Sequence, residues 1–125
     1  MYLVMEIEIK NWLTQIKKGY LDLCILALID SQDKTYGFQL ISCLGEHGIA
    51  VKEGTLYPLL NRMTKDGLLT AKWETEDIQG HPRKFYSLTA AGRRNLGAMK
   101  SEYESMYVTF EDINTVGGKN GKSRA

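Results

Sequence analysis

From Glu6 to Ile29, apolar side chains recur at steps of three and four: Ile9, Trp12, Leu13, Ile16, Tyr20, Leu23, Cys24 and Ala27. That spacing predicts a helix with one buried stripe, which becomes apolar on nearly every side toward its end. Gly19 interrupts it and marks a bend or a close helix contact. The polar run 31–35 (SQDKT) reads as a turn. A second helix is expected in YGFQLISCLGEHG, with Phe38, Ile41 and Cys43 or Leu44 facing inward. Gly45 and Gly48 bracket its stop. A third runs from about Gly54 to Lys65, with Leu56, Leu59, Leu60 and Met63 at helical spacing. Thr55 or Glu53 stands at its start, Pro58 is tolerated only within the first turn, and Asp66-Gly67 ends it. Short helices joined by a tight, glycine-containing turn form the pattern of a helix-turn-helix.

The period then drops from 3.6 to 2. LTAKWET (Leu69 to Thr75) sets Leu69, Ala71 and Trp73 against Thr70, Lys72 and Glu74, and RKFYSL (Arg83 to Leu88) supplies β-favouring Phe85 and Tyr86. With the polar EDIQGHP between them, the two predict a β-hairpin with a long tip. A helix-turn-helix followed at once by a hairpin is a winged helix: mainly α with a small β-hairpin, an α+β fold. Thr89 is placed to cap a last helix beginning at Ala90. Within that helix Leu96, Met99, Tyr103, Met106, Phe110 and Ile113 form a heptad seam. From Ala90 to Asn114 it is about 37 Å long at 1.5 Å per residue. A small three-helix core does not cover that length, so the helix wants a second surface. The expected organisation is a winged helix-turn-helix unit with its N-terminal helix over 1–89, a long helix in search of a second surface over 90–114 and a flexible polar tail over 115–125.

Composition sharpens this only in places. At 125 residues, 43% apolar and 25% charged, the chain is the size of one globular domain. Its longest apolar run, Leu23 to Ile29, is too short to span a bilayer, and no signal peptide is legible, so the sequence places it in the cytoplasm. Cys24 and Cys43 make neither a disulfide framework nor a CxxC pair. The net charge is +1, but residues 52–94 carry eight basic against five acidic side chains, a mild lean toward a polyanion.

The stretch EGTLYPLLNRMTKDGLL (Glu53 to Leu69) resembles the recognition-helix signature of the PadR family of bacterial transcriptional regulators. KKGYLDLCILALI, TYGFQL and RKFYSLTAAGRRNL support it in the right order, so that the likeness covers roughly residues 12 to 96. The absence of a long extra C-terminal domain is like the family's shorter branch. The resemblance implies a homodimeric, winged-helix, DNA-binding repressor, often responsive to small molecules.

The residues make their own case for DNA. A helix N-terminus offers unpaired N–H groups to phosphate, and Gly54 and Thr55 are small enough to let a backbone approach. Thr55, Tyr57, Pro58, Asn61, Arg62 and Lys65 lie off the apolar stripe. Asn suits adenine and Arg suits guanine in the major groove. Tyr57 is expected at a phosphate or a thymine methyl, while Glu53 beside phosphate is a counter-signal unless it caps the helix. In the wing, His81, Arg83 and Lys84 beside Gly80 and Pro82 suit a groove-inserting tip, with Glu74, Glu76 and Asp77 directed away. Lys17 and Lys18 read as solvent-facing.

The seam from Leu96 to Ile113, with Trp12 on the first helix, is the expected dimer interface, placing two recognition helices about one DNA turn apart on an inverted repeat. Trp12, Tyr103, Tyr107 and Phe110 offer flat faces for a small aromatic effector, although a plainly packed interface explains them more simply. No cofactor or metal is expected. An enzyme is disfavoured: neither a phosphate-binding GxxxxGK[ST] loop nor an HExxH is present, and both cysteines lie in apolar helical stretches. The competing class is a winged helix used only for protein contact, which Asn61, Arg62, Arg83 and Lys84 argue against.

Overall fold

The structure, a computed structural model, describes residues 2–75 and 80–117. The elements run α1 (Tyr2–Gln32), β1 (Thr35–Tyr36), α2 (Gly37–Glu46), α3 (Glu53–Lys65), β2 (Leu69–Thr75), β3 (Pro82–Leu88) and α4 (Ala90–Gly117). β2 and β3 pair antiparallel from Leu69↔Leu88 to Thr75↔Pro82, and β1 adds to the other edge of β3 through Thr35↔Tyr86 and Tyr36↔Phe85. The hairpin is thus the larger part of a three-stranded sheet. The polar run 31–35 reads as a turn because a two-residue strand is too short to show alternation. The tip residues Glu76 and Asp77 and the tail beyond 117 lie outside the described residues, whereas 115–117, expected in the tail, are helical.

The core joins Ile25, Leu26 and Ile29 of α1 to Leu40 and Leu44 of α2, Leu56, Leu60 and Met63 of α3, and Leu69, Tyr86 and Leu88 of the sheet. This corrects the stripe expected on the first helix. Ile9, Trp12, Ile16, Tyr20 and Ala27 are exposed, and Leu23 and Cys24 are only half-buried. A helix of 31 residues is about 46 Å long, so its first half runs beyond the core that its last two turns help to build. Nothing lies near Gly19, and the helix passes through it unbroken. Phe38 is a second correction. It is 65% exposed, because the inward face of α2 is Gly37, Leu40 and Leu44, with Ile41 and Cys43 half-buried.

α3 starts one residue earlier than expected, which puts Pro58 in its second turn. The missing N–H there deprives the carbonyl of Gly54, on the exposed start of the helix, where water can replace it. α3 ends in a Schellman turn. Gly67 takes φ +81°, its N–H reaching Thr64 O at 3.1 Å while the Leu68 N–H reaches Met63 O at 2.9 Å.

Thr89 ties that turn to α4. Its N–H donates to Leu68 O at 3.0 Å, its hydroxyl donates to Gly67 O at 2.6 Å, and its Oγ1 accepts the Gly92 N–H at 2.9 Å. The last bond is the predicted N-cap. Gly92 is required for this approach, since a Cβ there would stand 2.1 Å from Leu68 O.

The predicted seam divides. Leu96 and Met99 are half-buried, packed in part against the chain's own core. Tyr103 meets Tyr20 of α1, ring centroids 5.9 Å apart, and Met106, Phe110 and Ile113 stand exposed further along α4.

Candidate nucleic-acid interface

α3 buries Leu56, Leu60 and Met63 and turns Gly54, Thr55, Pro58, Asn61 and Lys65 outward. No side chain caps its start. The N–H groups of Thr55 and Leu56 turn back to Lys52 O, and Glu53 in the first turn complements the positive end of the helix dipole. Nothing lies within 4 Å of a Cβ built on Gly54.

Tyr57 leans toward the start of α2. Gly37 makes room for it, because a Cβ on Gly37 would fall 2.1 Å from the Tyr57 hydroxyl. Partial burial raises the Tyr57 hydroxyl above its ordinary pKa, and the Glu53 carboxylate adds to the effect. Burial does the same to Tyr86, with Tyr57 contributing.

Between α3, the start of α2 and the wing lies an open cleft of about 410 Å³. Four predicted residues converge on it: Tyr57, Asn61, Arg83 and Lys84. Aromatic faces hold both wing cations. Arg83 stands 4.6 Å over the Tyr36 ring, and the Lys84 ammonium 6.0 Å from the centroid of Trp73 and 5.8 Å from that of Tyr86. His81 is exposed at the wing. Glu74 is paired with Lys34 of the α1–β1 turn at 2.6 Å.

Arg62 takes a different position from the one expected. It donates through Nη2 to both carboxylate oxygens of Asp22 on α1, at 2.9 and 3.0 Å, which ties α3 to α1. The pair borders a second, open groove of about 860 Å³ between α1 and the α2–α3 loop, lined also by Lys17, Lys18 and Lys52. Neither groove is lined by Trp12, Tyr103, Tyr107 or Phe110. Among the described residues no cluster of His, Cys, Asp or Glu is placed to hold a metal ion, and no helix is long and apolar enough to cross a membrane.

The sequence profile of the Transcriptional regulator PadR-like family matches residues 25–98. The chain belongs to the PadR family. Solved PadR structures share the fold. One from Bacteroides fragilis is 39% identical, with a TM-score of 0.70, covering 82% of this chain and 98% of that one. Another, from Eggerthella lenta, is 25% identical with a TM-score of 0.78, covering 89% and 96%. A transcriptional regulator of Mycobacterium tuberculosis is 39% identical over 66 residues, a match that spans 53% of this chain and 60% of that protein. PadR regulators are DNA-binding proteins, not enzymes, and typically act as dimers.

Sequence reasoning missed four aromatic members of the PadR cleft: Tyr36, Phe38, Trp73 and Tyr86. Strand alternation put Trp73 on the same face as Leu69 and Ala71, and that was right. The overlooked signal is length, since a seven-residue strand reaches further than the small core beneath it.

Proposed function

We propose that this PadR protein is a homodimeric transcriptional repressor that acts in the cytoplasm on an inverted-repeat operator near its own promoter. The observation that carries the reading is the convergence of Tyr57 and Asn61 of α3 with Arg83 and Lys84 of the wing on one cleft. The uncapped start of α3, with Gly54 open to approach, adds a backbone surface for phosphate. Asn61 reads a base edge, and the wing cations with His81 take the flanking phosphates or minor groove. Pro58 lies on the same outward surface. Arg62, held by Asp22 through Nη2, is freer to reach DNA once that pair opens.

The exposed parts of α1 and α4 favour a second copy as their cover. Trp12 on α1 and Met106, Phe110 and Ile113 on α4 are large apolar side chains left exposed, area that a second copy would cover. The unit over 1–89 then binds DNA, and the helix over 90–114 pairs the protomers. A small aromatic effector at Trp12, Tyr103, Tyr107 and Phe110 belongs to the same reading, between two copies. Such a ligand releases DNA only if it binds the DNA-free form more tightly.

The test is a titration against labelled duplexes from the protein's own upstream region at several salt concentrations, followed by footprinting. Saturable, salt-sensitive binding with a two-fold-symmetric footprint is expected, weakened by Asn61→Ala and by Lys84→Ala. Equally weak binding to every fragment overturns the operator reading in favour of a protein-contact role.

A further inference from the structure

Two large apolar side chains on the cleft have no partner that accounts for their exposure: Phe38 is 65% and Trp73 67% exposed. Their positions follow from simple geometry. Trp73 faces Lys84 across the hairpin, and both continue the faces that bury Leu69, Leu88 and Tyr86. The inward side of the wing therefore runs past the edge of the core and presents an indole to the space over α3. Phe38 enters the same space from the first turn of α2, next to the Gly37 that accommodates Tyr57. The result is an aromatic wall whose rim is cationic.

We propose that Trp73 and Phe38 form an apolar contact site for duplex DNA, packing on deoxyribose carbons and thymine methyl groups while Arg83 and Lys84 engage the adjoining phosphates. This rests on the DNA-binding reading above and adds to it a non-ionic part of the interface. Charge complementarity selects the occupant. The cations at the cleft, Arg83 and Lys84, sit against aromatic faces that fix their position without neutralising their charge. A nucleic-acid strand alternates anionic phosphate with apolar sugar, matching cation beside ring. Lys84, held 6.0 Å from the Trp73 centroid, places one such pair of features side by side.

The ionic and apolar parts separate in a salt titration. Each phosphate contact contributes about 0.9 to the slope of log K against log salt, whereas an apolar contact contributes affinity and no slope. The experiment measures wild type, W73A, W73F, F38A and K84A on a labelled upstream duplex and on a random-sequence duplex at several salt concentrations, beginning at low salt. W73A and F38A are expected to weaken binding about five- to tenfold with the slope unchanged, in line with the apolar area lost. W73F is expected to retain most of the affinity, and K84A to lower the slope by about one. Thermal melts of each variant check the fold, which two exposed residues should leave intact.

A second readout is acrylamide quenching. The chain has two tryptophans, so W73F leaves only Trp12. Saturating duplex should shield the wild-type emission and leave that of W73F unchanged. The proposal is overturned if wild type binds while W73A binds equally well, if W73A changes the slope as K84A does, or if quenching is unaffected by DNA. If wild type binds neither duplex, the DNA-binding reading falls with it, an outcome distinct from the others.

Discussion

Single residues carry much of the geometry, and glycines show the contrast. A methyl group on Gly92 would meet the Leu68 carbonyl, a backbone atom with no freedom to move aside. Gly92→Ala should therefore cost about 2 kcal/mol or more and lower the melting temperature by several degrees. Gly19 lies inside α1 with nothing near it, so Gly19→Ala should stabilise the chain by about 0.5–1 kcal/mol. The same melts compare both. Asp22→Asn should change stability by at most about 1 kcal/mol, because the Arg62 pair is half exposed. Its effect on DNA should be larger and of opposite sense. With Arg62 released, affinity rises and the salt slope steepens by about one, and Arg62→Ala reverses the gain. Tyr57 and Tyr86 give a pH signature. Both are raised above pKa 10.0 in the folded chain, chiefly by burial. A raised folded pKa means that their contribution is intact below pH 10 and is lost as pH climbs through the folded values. Stability should fall in that alkaline range, with absorbance at 295 nm tracking ionisation, and Tyr57→Phe should flatten the fall.

Elements were legible in the sequence where their period outlasted their ends. Helices α3 and α4, both hairpin strands and the Thr89 cap follow from spacing and capping chemistry. β1 does not, since Thr35 and Tyr36 join the sheet only because β3 supplies an edge. The buried face of α1 also escaped, because its apolar stripe serves two surfaces in succession. Residues 9–20 show an a/d-like pattern that the monomer leaves exposed, and Ile25, Leu26 and Ile29 show the pattern of a core helix. Periodicity records that a face is covered, not which molecule covers it. Phe110→Glu on α4 tests the division. Light scattering should then show a monomer, with operator affinity more than tenfold weaker as the second half-site contact is lost. Leu96→Glu should instead destabilise the chain itself, because Leu96 packs on its own core.

For the molecule as a whole, the near-balanced charge conceals an asymmetry that only the fold assembles. Arg83 and Lys84 in the wing come to stand beside Asn61 of α3, more than twenty positions earlier in the chain, across a cleft of about 410 Å³. Their residue types pointed to DNA from the sequence, but the aromatic faces that support them depend on tertiary geometry that spacing does not encode.

The threonine bridge between the end of α3 and the start of α4 has a mechanical consequence. By fastening both helices to the 66–68 turn, Thr89 makes α4 the long arm of a crank whose short arm is α3, the helix proposed to lie over DNA. At 28 residues that arm is about 42 Å long. In the proposed dimer the arms are paired around Phe110, about 30 Å along the helix from Ala90, so a turn of each arm by about 6.5° about that point moves its DNA-side end by roughly 3.4 Å. That is close to the spacing of one nucleotide step along a strand, about 3.4 Å. A small repacking among Met106, Phe110 and Ile113 is thus geared up to a full step of misregistration at the half-sites, and Thr89→Ala introduces play into the gear.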